Sequence, residues 1–210
     1  MTGVIKLIDG SFCDEINALR QQEYAKAGGF AVDLSTLKWQ RADDDSYVLA
    51  VLQEGNVVAT MRGEVIADLP LLERKLECPW DYPLTLAPPF LLLSRAATLS
   101  TCRSRGFNLL MRYWFLRFAM EREVPFVLGT FVADSPRETS LRDMGYQFFE
   151  NKLGWQQSTY RSLRPVHVVA LDMRSQGRRA LAYCEEQAET GLKDYPFMGS
   201  FPDIRFVKDV

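Results

Sequence analysis

Between two apolar runs of this 210-residue chain, Arg103-Ser104-Arg105-Gly106-Phe107-Asn108 sets two guanidinium groups around one glycine. Ahead of it, the run from Phe90 to Leu99 begins apolar and turns polar and small, as a buried strand does on approaching a site. Behind it, the run from Leu109 to Glu123 reads as a helix, and Phe126 to Val132 as a second buried strand. Strand, glycine turn, helix, strand is an arrangement that receives a phosphorylated ligand, because the N–H groups of the turn and the positive end of the helix both point at an anion. Taken alone, a string with one glycine is also what an ordinary solvated helix start looks like. Three more arginines carry potential chemistry. Arg20, Arg62 and Arg95 fall on predicted inward faces of adjacent elements. Buried guanidinium groups need acceptors, and the acidic run Asp43-Asp44-Asp45 is the nearest supply. Such a network either pins the amino-terminal helix to the sheet, or shapes a pocket with one arginine left for a substrate carboxylate.

The elements that must hold these groups follow from periodicity. Val4 to Ile8 reads as a short strand, and a helix is expected from about Asp14, capped by Ser11. Its inner stripe is Ile16, Leu19, Arg20 and Tyr24, which ends at Gly28-Gly29. Arg20 either meets an acid there or snorkels to solvent beside Tyr24. Tyr47 to Leu52 and Val57 to Arg62 flank the turn signal Glu54-Gly55-Asn56, so a hairpin is expected. Pro70 to Glu77 reads as a helix. The stretch from Cys78 to Pro89 is rich in proline and aromatics, fitting a rigid connector or the wall of an apolar pocket. The long helix is apolar nearly all round except at Arg112, Arg117 and Glu121, so it is covered by the sheet, by the carboxy-terminal region or by a second subunit in a homodimer. A short helix then leads through Met144-Gly145 to an aromatic strand. Pro165 to Leu171 is the last strand, in which His167 is a core or edge residue rather than a catalytic base. The aromatics from Tyr195 to Val207 imply a docked tail. The whole reads as an α/β domain over residues 1–172, with a helical and aromatic extension over residues 173–210 packed on it or on a second subunit.

Composition narrows the function. A net charge of -2 leaves no basic footprint for nucleic acid or an anionic membrane. The four cysteines, Cys13, Cys78, Cys102 and Cys184, are scattered, and there is one histidine, so no metal site is expected. No signal peptide opens the chain and no apolar run approaches membrane-spanning length, which makes a reduced, cytoplasmic setting the expectation.

The basic turn resembles the R/Q-x-x-G-x-G/A turn of the GNAT acyltransferase superfamily, with Asn108 in the last glycine position, where its tolerance of a left-handed backbone would soften the departure. Leu141-Arg142-Asp143-Met144-Gly145-Tyr146 resembles that superfamily's Y-x-x-x-G-F, with Leu141 in place of the tyrosine acid. The front half is most similar to acyl-homoserine-lactone synthases and long-chain N-acyl amino acid synthases. The similarity runs through Arg20 and Tyr24, Phe30, the acidic run before Tyr47, Val58-Ala59-Thr60-Met61-Arg62 and Leu93-Ser94-Arg95. It implies a mixed sheet splayed at Leu91 to Leu99, and direct transfer of an acyl group from coenzyme A or acyl carrier protein to the primary amine of a small acceptor. The donor's phosphates would lie on Arg103, Ser104, Arg105, Gly106, Phe107 and Asn108. Its pantetheine arm and thioester carbonyl would lie along Ser94 to Thr98, including Ala96 and Ala97. Arg20, Tyr24, Phe30, Asp45 and Arg62 would line the acceptor pocket. Synthases of this branch carry a glutamate where Leu92 stands, so Glu64 on the neighbouring strand is the substitute base, with Ser94 and Arg95 completing the centre. Ser140, Tyr146 or solvent would protonate the leaving thiolate. Phe90 and Phe131 are the rings able to close the splay against long acyl chains. Two other readings remain: an acyl-CoA sensor that has lost acid and base, and a partner-binding module working through the aromatic tail.

Overall fold

Glu54 and Gly55 both take positive φ, 52° and 83°, and fold Tyr47–Gln53 (β3) back on Asn56–Ile66 (β4) through the two-residue turn that suits strand twist. The computed structural model describes residues 3–26, 30–32, 34–76, 86–133, 135–150, 160–162 and 166–207. In it the hairpin belongs to a seven-stranded sheet of order β1-β3-β4-β5-β6-β9-β7. The other strands are Gly3–Ile8 (β1), Phe90–Thr98 (β5), Phe126–Val132 (β6), Gln147–Glu150 (β7) and Val166–Asp172 (β9). Neighbours run antiparallel except β5 with β6. Phe30–Val32 (β2) and Tyr160–Ser162 (β8) form a separate ribbon. The α/β architecture with a mixed sheet is as expected, and β9, last in sequence, inserts between β6 and β7.

Side chains alternate across the sheet with period two. Val65, Leu91, Leu93, Val127 and Val169 face Phe107–Glu121 (α4) and Met173–Gln187 (α6). Ile66, Phe90, Leu92, Leu128 and Val168 face Leu69–Leu76 (α3). Next to α3, Ile16 and Leu19 of Cys13–Lys26 (α1) cover Ala50, Leu52 and Ala97. The remaining helices are short: Arg41–Asp44 (α2), Glu138–Asp143 (α5) and Glu189–Asp194 (α7).

The aromatic tail docks on its own chain. Phe201 packs against Tyr47, Phe115 and Phe118, and Phe197 against Trp114. The Ile5 amide donates to Pro196 O and its carbonyl accepts from Met198 N, which occupies the outer edge of β1. The Tyr47 hydroxyl donates to Asp203 O and accepts from Arg205 N. The all-round apolarity of α4 is thus met by sheet, α6 and tail, and its exposed Arg117 and Glu121 pair at 2.9 Å.

Local expectations are corrected at two places. Asp9 rather than Ser11 caps the amino-terminal turn, its Oδ1 accepting from the Ser11 amide and hydroxyl. The inner stripe of α1 is Ile16, Leu19, Arg20 and Glu23, with Tyr24 half-buried beside it. Gly28-Gly29 and most of the proline-rich stretch, residues 78–85, lie outside the described residues. Among the described residues no helix is long and apolar enough to cross a membrane.

One glycine sets the spacing between α4 and the sheet. A Cβ at Gly63 would stand 2.4 Å from Phe115, a ring with no exposed surface. Gly63→Ala is therefore expected to cost about 1–3 kcal/mol of stability by overpacking. An unchanged urea midpoint would show that this contact is not tight in solution.

Candidate active site

β5 and β6 pair from Phe90↔Phe126 to Leu93↔Gly129 and then part. Beyond that row Ser94 to Thr98 stay with β4, and Thr130 to Val132 stay with β9. The splay therefore opens at Ser94, later than the Leu91 expected from sequence, and beyond it the backbone polar groups on the two inner edges are no longer paired with each other. Its β5 arm carries a bulge. Ser94 pairs with Arg62 and Ala97 with Thr60, so Arg95 and Ala96 together oppose Met61, with Arg95 at φ 51°. The extra residue rephases the strand and brings Ala97 onto the α1 side together with Ser94.

The basic turn follows directly. Ser104 and Gly106 take φ of 70° and 75°, and Gly106 caps α4. Beyond its two chain neighbours no residue has an atom within 4 Å of where a Gly106 Cβ would be, so the space in front of the first α4 amides is open. Phe107 contributes backbone only, since its ring is buried against Tyr195. Asn108 is already helical, so left-handed tolerance plays no part there. The left-handed residues are Ser104 and Gly106. Arg105 is exposed, whereas Arg103 Nη2 donates to Glu23 Oε2 of α1 at 2.9 Å.

On the α1 side of the splay the charged residues form one chain. Arg20, with no exposed surface, donates to Asp43 Oδ1 at 2.8 Å, and Asp43 Oδ2 lies 3.7 Å from Arg62 Nη1. Arg62 continues to Glu64 Oε2 at 2.7 Å and to Ser94 Oγ at 3.1 Å, and Lys75 of α3 closes on Glu64 Oε1 at 3.0 Å. Ser94 Oγ donates to Glu64 Oε2 at 3.3 Å. Burial pushes the Asp43 carboxyl up, but the guanidinium groups of Arg20 and Arg62 outweigh it and hold it below the ordinary range. The cations exceed what the carboxylates can satisfy: among the described residues Arg20 Nε, Arg20 Nη1 and Arg62 Nη1 are buried without a hydrogen-bond partner.

The acid that meets Arg20 is therefore Asp43, not Asp45, which terminates α2 half-exposed, while Asp44 accepts from the Trp39 indole. Only one carboxylate of a helical run can face inward, and α2 turns Asp43 there. Glu64 pairs directly with Leu92 across the strands and shares its face. It thus supplies a carboxylate beside the apolar position, although both of its oxygens already accept from cations. Arg95 reaches Gln40 Oε1 at 3.0 Å. The Phe30 side chain lies outside the described residues. Tyr146 is not at the splay: it precedes Gln147, which pairs with Ala170 on the closed side, and its hydroxyl accepts from Arg112 at 2.8 Å. Ser140 donates to Arg137 O, and Leu141 is buried. Phe90 sits at the closed end of the splay, and Phe131 packs edge-on against Phe148. His167 is half-buried on β9, between Phe131 and Glu150. Sequence reasoning missed Lys75, for which no local signal exists. It also missed Glu23, which the 16-19-20-23 spacing does announce.

No protein-family model and no curated protein sequence matches this chain. Solved structures do match in fold. A CoA-dependent acyl-homoserine lactone synthase, BjaI, superposes with a TM-score of 0.64 at 14% identity, over 96% of both chains. FeeM, an N-acyl amino acid synthase from uncultured soil microbes, gives 0.58 at 12% identity, over 86% of this chain and 98% of its own. An N-acetyltransferase from Staphylococcus aureus gives 0.59 at 11% identity, over 83% and 100%. The fold is that of the GNAT superfamily.

Proposed function

We propose that this chain is an N-acyltransferase that moves an acyl group from a thioester of coenzyme A or acyl carrier protein to the primary amine of a small, amino-acid-like acceptor. The observation that carries this is the placement of the open splay at Ser94 to Thr98 between two different sites. On one side lies the Gly106-capped turn, suited to the donor's phosphates. On the other lies a network with more buried guanidinium N–H groups than carboxylates to satisfy them, suited to an acceptor carboxylate. The named activities of BjaI and FeeM support the same class.

In this mechanism the pantetheine arm adds to the inner edge of β5 as a strand would, and backbone N–H groups there polarise the thioester carbonyl. The amine nitrogen attacks the carbonyl carbon to form a C–N bond, and collapse of the tetrahedral intermediate breaks the C–S bond and releases a thiolate. The amine's surplus proton passes to Ser94 Oγ as the Ser94 proton moves to Glu64 Oε2. The thiolate takes its proton from solvent, since Leu141 offers none.

The acyl group we assign is a long one. Neither ring able to block the splay lies across it, because Phe90 is at the closed end and Phe131 is turned onto Phe148. Eight methylenes buried in an apolar channel contribute on the order of 6 kcal/mol at about 0.8 kcal/mol each, enough to dominate donor choice. A donor series from acetyl to hexadecanoyl, on both carriers and with pooled amino acids as acceptors, is expected to show catalytic efficiency rising with chain length. Efficiency that peaks at acetyl and falls with each added pair of carbons would exclude the long-chain assignment. A second reading is favoured by Leu92 and Leu141, both buried in apolar clusters at positions where the resemblance implies a base and an acid. Donor binding without turnover of any thioester would make the chain an acyl-thioester sensor.

A further inference from the structure

Among the described residues Glu23 is the carboxylate that touches the basic turn, through Arg103, and the proposed mechanism gives it no part. It has 4% of its surface exposed, yet it meets two cations whose side chains are open to solvent: Arg103 at 54% and Lys26 at 45%. Its Oε2 accepts from Arg103 at 2.9 Å and its Oε1 from Lys26 at 3.0 Å. Lys26 also donates to Ser100 Oγ at 3.1 Å, just ahead of the turn. Burial pushes the Glu23 carboxyl up, but Lys26, the Ser100 amide and Arg103 together hold it below the ordinary range. The last turn of α1 is thereby seated on the segment that leads into Gly106.

The asymmetry of exposure matters. The carboxylate is fixed in the protein, while both cations sit at the ends of long side chains that can swing outward. A phosphate arriving in the open space before Gly106 meets Arg103 and Lys26 already engaged by a competing anion, and it feels the repulsion of that anion. We infer that Glu23 is an internal competitor for the donor's phosphate, and that Lys26 of α1 is a further donor-binding residue which Glu23 surrenders together with Arg103 when a phosphorylated donor binds. The exchange needs no covalent step. It sets donor affinity below what the turn alone would give, and it ties occupancy of the turn to the helix that carries Arg20.

The inference rests on the reading of residues 103–108 as the donor turn, and the test separates the two. Glu23→Gln keeps the side chain's shape and its acceptor for the Ser100 amide while removing the charge. Calorimetry with coenzyme A is expected to show binding about tenfold tighter than wild type, within the range usual for coupled sites, with the gain shrinking at high salt. Lys26→Met is expected to weaken binding severalfold, and Glu23→Gln is expected to gain less in an Arg103→Met background. Pantetheine, which carries no phosphate, is expected to bind wild type and Glu23→Gln alike. Coenzyme A affinity that is unchanged or weaker in Glu23→Gln would overturn the inference, as would an equal gain for pantetheine. If Gly106→Val also bound coenzyme A as wild type does, the donor-turn reading itself would fall. If Gly106→Val lost binding while Glu23→Gln changed nothing, only the competitor would be excluded.

Discussion

Asp43→Ala is expected to cost about 3–5 kcal/mol of folding stability, because it leaves a buried arginine without a counter-charge. Arg20 has no exposed surface, and among the described residues it donates to Asp43 Oδ1 at 2.8 Å. Arg62 loses a neighbour 3.7 Å away in the same change. The pair itself is worth less than its loss, since two charges taken from water repay most of their desolvation only by meeting each other. Replacing both at once, as Arg20→Met with Asp43→Leu, is therefore expected to recover most of the loss, and a double-mutant cycle should give a coupling of about 0.5–3 kcal/mol. Asp45→Ala, at the half-exposed end of α2, is expected within about 0.5 kcal/mol of wild type. Chemical unfolding of these variants decides: additive losses at positions 20 and 43, or a larger loss at 45 than at 43, would remove the network from the folded protein.

The same carboxyl gives a pH dependence with a definite sign. Against its own desolvation, Arg20 and Arg62 lower the folded value of Asp43, so the unfolded chain binds this proton more readily. Its stabilisation is fully present above the ordinary carboxylate range, near pH 4, and is lost as pH falls through the lower folded value. The stability difference between wild type and Asp43→Asn should thus be flat above about pH 5 and shrink below about pH 4.

Gly106→Val is expected to abolish donor binding while the fold survives. A β-branched residue at φ 75° is strained by about 1–3 kcal/mol. Apart from its two chain neighbours, no residue has an atom within 4 Å of the new Cβ, so the stability loss should stop there. The isopropyl group would instead fill the space a phosphate must enter to reach the first α4 amides. A loss of coenzyme A affinity of about 100-fold or more, worth about 2.7 kcal/mol, is expected. Gly106→Asn, which tolerates a left-handed backbone, should be better folded and still impaired in binding. Asn108→Ala should change stability by no more than about 0.5 kcal/mol, because that residue is helical. Wild-type affinity in Gly106→Val would remove the turn from the donor site.

Much of this molecule was determined by sequence alone, wherever a short-range rule applies. The turn at Glu54-Gly55, the alternation of Leu91 and Leu93 against Leu92, the glycine that caps α4 and the docking of an aromatic tail each depend on neighbours or on a period. The arginines at 20 and 62 announced a buried network because a guanidinium on an inward face has to find an anion. What sequence could not decide is which anion. Three consecutive aspartates offer equal chemistry, and only the placement of the four-residue α2 against β3 turns Asp43 inward. The point at which β5 leaves β6 was likewise undecided, since it depends on Leu93 pairing with Gly129 across 36 residues and on a bulge at Arg95. Lys75 reaching Glu64, and Glu23 taking Arg103, join elements that no local period connects. Charge and hydropathy fix which residues must be buried and that they need partners. The partners themselves are chosen by the register of the sheet and the seating of its helices, which long-range packing alone sets.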